Sequence, residues 1–102
     1  MAQTLLALGR LQLDLGGYSK AEPYLRRALA IQQATLGPDH REVAQSLYHL
    51  GRLYAERKQY AQARTVLTRA ATIQEKVLAP DHPEGERVRR QLAAVTRTTR
   101  PS

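Results

Sequence analysis

The chain has 102 residues, enough for one domain with a small core, and 42% of them are hydrophobic, which excludes a disordered chain. The absence of cysteine excludes a disulfide framework and a thiolate metal site, and the absence of Phe and Trp leaves burial to Leu, Ala, Ile, Val and five tyrosines. A net charge of +7, from 16 basic and 9 acidic residues, admits nucleic acid or acidic proteins as partners.

The opening stretch, MAQTLLALGRLQLDLGG, reads as an amphipathic helix that begins at Met1 and stops at Gly16-Gly17. It lacks the basic leader of a signal peptide, and no apolar run in the chain approaches the roughly 20 residues of a membrane span. A cytoplasmic chain with no membrane partner is expected. The second helix carries Ala21, Tyr24, Leu25, Ala28 and Ile31 at helical spacing, with Pro23 placed near its first turn. Gly37-Pro38 stops it. Asp39 is the expected cap of the third helix, with Glu42 three residues on, as in a capping box. That helix carries Leu47, Leu50, Leu53 and Tyr54 and turns at Lys58-Gln59. The fourth carries Ala63, Val66, Leu67, Ala70, Ile73 and Val77 and stops at Ala79-Pro80. Asp81, with Glu84, is the expected cap of a fifth helix from about Glu84 to Thr98. The last residues, RTTRPS, are expected to fray.

The pentapeptides LGPDH (Leu36–His40) and LAPDH (Leu78–His82) stand 42 residues apart, and they mark a repeat. Laying 1–42 over 43–84 gives 19 identities in 42 pairs, and internal periods of this length signal stacked repeats. The expected organisation is repeat 1 over 1–42, repeat 2 over 43–84, a capping helix over 85–98 and a frayed tail over 99–102. In the fifth helix Leu92 keeps the position of Leu8 and Leu50, while Arg89 replaces Leu5 and Leu47, as suits a helix that closes a stack against water. His40 and His82 have no second ligand at helical spacing, so no metal is expected there.

Leu8-Gly9 and Leu50-Gly51, the turn tyrosines Tyr18 and Tyr60, and the alanines Ala21, Ala28, Ala63 and Ala70 together resemble the tetratricopeptide repeat. The long period and the LGPDH linker look like the variety found in kinesin light chains and in many bacterial signalling proteins. The resemblance covers about residues 1–96. It implies an all-α fold, a right-handed α-α superhelix of two helix pairs plus a C-terminal capping helix. It also implies a groove, lined by the first helix of each repeat, in which a peptide or partner helix docks.

On that groove the resemblance places Arg10, Gln45, Tyr48, His49, Arg52, Arg87 and Gln91. Tyr and Arg are favoured binding anchors, so a protein or peptide partner of acidic character is expected. Arg10 and Arg52 each have an acidic residue four positions on, Asp14 and Glu56, and a local pair is the competing reading. Relatives that grip a C-terminal carboxylate use asparagine on these helices, and this chain contains none. No nucleophile–base–acid set and no phosphate loop stand out, so neither catalysis nor a cofactor is expected. Arg87, Arg89, Arg90, Arg97 and Arg100 offer an alternative, sequence-blind binding of nucleic acid, without aromatics for base stacking. A purely architectural role within a larger signalling protein is a further alternative.

The first helix carries one more signal. Leu5, Leu6, Leu8, Leu11, Leu13, Leu15 and Ala2 cover an arc of about 220°, where one helical neighbour needs about 100°. The second repeat trims this arc: Leu6 becomes Tyr48, Leu13 becomes Ala55 and Leu15 becomes Arg57. Met1 stands where Val43 follows a cap, as though the helix were opened from a longer array or left to find a partner. Self-association through Leu6, Leu13 and Leu15, giving a homo-oligomer, is therefore expected.

Overall fold

A computed structural model describes residues 1–77 and 81–99. The Ala79-Pro80 helix stop, Arg100 and the end of the tail lie outside the described residues. The chain forms α1 (Ala2–Asp14), α2 (Tyr18–Leu36), α3 (Arg41–Glu56), α4 (Tyr60–Val77) and α5 (Pro83–Thr99), with no strand among the described residues. Leu, Ala, Gln, Arg and Glu dominate these segments, and all are strong helix formers. α2 runs continuously through Pro23, which lies inside the helix rather than in its first turn.

Each helix packs on the next in the chain, and α1 also touches α3, as α3 touches α5. The result is two layers: α1, α3 and α5 in one, α2 and α4 in the other. The crossings within each pair depend on glycine. A Cβ on Gly9 would stand 2.6 Å from Leu25 Cδ2, and one on Gly51 would stand 2.5 Å from Leu67 Cδ2. Leu25 and Leu67 are fully buried, so these contacts fix the closest approach of each pair.

The turns inside the two pairs share one geometry. Gly16 N–H bonds to Leu13 O and Gly17 N–H to Gln12 O; Lys58 N–H bonds to Ala55 O and Gln59 N–H to Tyr54 O. This is the Schellman closure, which needs a left-handed residue. Gly16 supplies it with φ +81°, and Lys58 adopts it with φ +62°, a conformation that penalises a side chain by roughly 1 kcal/mol.

The caps differ from the sequence expectation by one residue. His40, not Asp39, caps α3: its Nδ1 accepts from Glu42 N–H at 3.1 Å. His82 Nδ1 likewise accepts from Glu84 N–H at 3.2 Å, where Asp81 was the expected cap. α3 starts at Arg41 and α5 at Pro83, so the histidine and not the aspartate holds the N-cap position from which a side chain reaches the open N–H two residues on, and Asp39 is left to an exposed pair with Lys76 at 3.5 Å. The glutamates are consequently free of a capping box and reach sideways along the inner layer. Glu42 accepts from Gln3 of α1, and Glu84 Oε1 accepts from Gln45 of α3 at 3.1 Å and from Arg41 at 2.9 Å. The same glutamine–glutamate clasp thus recurs at a spacing of 42 residues.

Leu6 and Leu13 correct a second expectation. Both belong to the buried core instead of an exposed face. The single-neighbour arc was the wrong reference, because α1 is covered by α2 on one side and by α3 on another. Leu15 does stand exposed, together with Met1, Leu8 and Leu11.

Candidate functional site

A recess of about 180 Å³ opens where the three inner helices meet. α1 contributes Gln3, Leu6 and Arg10; α3 contributes Gln45, Tyr48 and His49; α5 contributes Glu84, Arg87 and Val88; Gln74 of α4 reaches it from the outer layer. The repeat register creates this convergence. Gln3, Gln45 and Arg87 follow one another at the repeat spacing of 42, as do Leu6 and Tyr48, so inner helices placed side by side present matching positions to one opening.

Of the residues expected in the groove, Arg10, Gln45, Tyr48, His49 and Arg87 line this recess. Arg52 and Gln91 do not. Arg52 instead crosses from α3 to α1 and pairs with Asp14 at 3.2 Å, so the local partner Glu56 is not the one it takes. Glu56 accepts from the Tyr18 hydroxyl at 3.3 Å. Gln91 is half-buried on α5, one turn beyond Arg87. Gln74, Glu84 and Val88 were not expected in the recess. The pair Gln32 and Gln74, a polar side chain repeated on a buried helix stripe, was the available signal for the first.

The recess has an uneven field. Tyr48 and His49 meet edge to face, with ring centroids 5.2 Å apart. Burial, and then the guanidinium groups of Arg52, Arg10 and Arg87 against the opposing Asp14, push the His49 pKa down to about 4. The imidazole is therefore neutral at physiological pH, and the positive charge at the opening belongs to arginine. A histidine of lowered pKa stabilises the fold above the unfolded value of about 6.5, and that contribution is lost as pH falls towards about 4. The loss has an upper limit of about 3 kcal/mol. Urea midpoints should fall between pH 7 and pH 4.5 by more in the wild type than in His49→Gln; equal falls would show that folding does not lower the pKa of His49.

The other arginines are dispersed. Arg90 pairs with Glu86 at 2.6 Å, Arg89 and Arg97 are exposed along α5, and Arg100 lies outside the described residues. No helix among the described residues is long and apolar enough to cross a membrane.

The comparisons with known proteins agree with this architecture. The sequence matches the tetratricopeptide repeat over residues 1–76. No curated protein matches it. Among solved structures it is similar to the kinesin light chain nearly identical TPR-like repeats of Podosopora anserina, at 27% identity and a TM-score of 0.82. That match covers 94% of this chain and 46% of the other, so the chain spans about half the length of the structure it resembles. Repeats of this kind form a non-enzymatic scaffold that mediates protein–protein interaction. Two helix pairs with glycine at each crossing, a left-handed turn inside each pair and a match over three quarters of the sequence lead to one conclusion: the chain belongs to the tetratricopeptide repeat family.

Proposed function

We propose that the chain is a scaffold that binds an acidic peptide or partner helix across the inner layer, over the recess between α1, α3 and α5. One observation carries this reading: a single opening gathers Tyr48 with Arg10 and Arg87, and Arg10 has no ion pair among the described residues. Tyr and Arg are both enriched among the side chains that anchor binding, and a guanidinium pairs well with a carboxylate. Selection of random 12-residue peptides displayed on phage against the purified chain tests it. Enriched sequences should carry Asp or Glu, and the combined variant Arg10→Ala, Tyr48→Ala, Arg87→Ala should bind them at least tenfold more weakly. Affinity should also fall as salt rises. Enrichment without acidic residues, or binding that survives the combined variant, overturns the groove.

A second reading has its own observation. On α3 and its C-cap Arg57, three polar contacts mark the side turned to α2: Ser46 with Gln32, Tyr54 with Glu22, and Arg57 with Glu22. Leu50 lies among them and is buried, as are Val43 and Leu53. The matching positions in α1 are Leu8, Met1 and Leu11, with Leu15 at the place of Arg57. These are 39%, 83%, 54% and 71% exposed. α1 thus offers an uncharged apolar face of the kind that α3 uses to receive a helix. A second copy of this chain is the proposed occupant: α1 brings no charge of its own to the face, and Arg27 of α2 borders it only at the Met1 and Thr4 end, so the face can meet itself across a twofold axis.

A further inference from the structure

Four buried side-chain polar atoms among the described residues lack a hydrogen-bond partner, and three of them belong to residues of the recess: Gln74 Oε1, Glu84 Oε2 and His49 Nδ1. Gln74 is only 5% exposed. The repeat explains its unmet oxygen. In the first repeat the equivalent Gln32 Oε1 accepts from the Ser46 hydroxyl, but Val88 stands where a second serine would be. Glu84 is divided: Oε1 is held by Arg41 and Gln45, and Oε2 by nothing. An unmet buried acceptor is a standing cost to the fold, and a donor that reaches it recovers that cost on binding.

The charges around these oxygens restrict the donor. A lysine or arginine of the partner would meet Arg10 and Arg87, which line the same recess. A carboxylate would meet the oxygens of Gln74 and Glu84 with no hydrogen to offer. A carboxamide satisfies both sides, giving N–H to the two oxygens and its carbonyl to a guanidinium. The space is sufficient, since a cavity of about 150 Å³ admits a benzene-sized group. We infer that the recess seats an Asn or Gln side chain of the bound peptide, with the acidic residues of that peptide lying against the arginines outside it. This inference rests on the groove reading above and names the anchor that reading leaves open.

The probe is a fluorescein-labelled pentapeptide with a free C-terminus, Glu-Asp-Gln-Asp-Glu, beside versions with Ala, Glu or Lys at the centre. The Gln peptide should bind roughly tenfold tighter than the Ala peptide. Val88→Ser, which gives Gln74 the internal donor that Gln32 already has, should reduce that ratio below twofold, and so should Gln74→Met. Equal affinity for the Gln and Ala peptides overturns the carboxamide anchor while leaving the groove in place. Preference for the Lys peptide overturns it in favour of a cation site. If no version binds in a manner that Arg10→Ala weakens, the groove itself fails and the anchor fails with it.

Discussion

Gly51→Leu should lower the thermal midpoint by roughly 10–20 °C, the equivalent of about 2–3 kcal/mol in a domain of this size. The new side chain begins where Leu67 already is: even its Cβ would stand 2.5 Å from both Cγ and Cδ2 of that leucine. Leu67 is fully buried and has no space to swing into, so α3 and α4 must separate. Gly51→Ala destabilises as well, although alanine is the better helix former by about 1 kcal/mol, because the clash involves the Cβ itself. The matched control is Ala93→Leu. Ala93 holds the same repeat position on α5, where no outer helix among the described residues takes the place that α4 has against Gly51, and it is exposed. That change should stay within about 0.5 kcal/mol. Thermal unfolding followed by circular dichroism reads all three, and a Gly51→Leu midpoint within about 3 °C of the wild type, less than 1 kcal/mol is worth in a domain of this size, would show that Gly51 does not limit the approach of α3 to α4.

If a second copy covers the α1 face, the double substitution Leu8→Glu, Leu11→Glu should convert the proposed dimer into a folded monomer. Light scattering on the wild type at about 100 μM, well above the micromolar constants of many transient dimers, should give twice the chain mass of 11.4 kDa. The double variant should give the single mass with an unchanged helical spectrum, since both leucines stand at the surface. Leu6→Glu and Leu13→Glu have a different outcome. Both side chains are core, and an unpaired carboxylate buried there costs several kcal/mol, so these variants lose helix rather than merely a partner. A wild-type monomer at that concentration, or a dimer that survives the double substitution, shows that the α1 face has another occupant or none.

The fold was legible because the chain states it twice. A small residue on each inner helix faces a leucine on each outer helix, Gly9 with Leu25 and Gly51 with Leu67, and duplication separates this pattern from chance. The recess was legible to the extent that register determines it, which is why Arg10, Gln45, Tyr48, His49 and Arg87 share one opening. Its floor was not. Gln74 comes from the other layer, and a helical wheel holds no information about how deep a neighbouring layer reaches. Glutamate three residues after aspartate has the local meaning of a capping box, so the sequence reads Asp81 as a cap and Glu84 as its partner; the histidine between them takes the capping role because the helix starts one residue later. Leu6 and Leu13 were misplaced for a related reason. The apolar arc of one helix gives the amount of surface to be covered, but not how many neighbours share the covering.

The clasps between Gln3 and Glu42 and between Gln45 and Glu84 bear on how such a chain can change length. Each lies wholly within one 42-residue unit, with its glutamine in third place and its glutamate in last. Yet the glutamate already belongs to the first turn of the following inner helix, so every unit sets the starting point of its successor. The pitch of the array is accordingly decided locally, one joint at a time, with no residue needing to sense how many units stand before or after it. A duplication or deletion that respects the 42-residue frame carries an intact joint with it, whereas the insertion of a single residue between Gln45 and Glu84 separates the two halves of one.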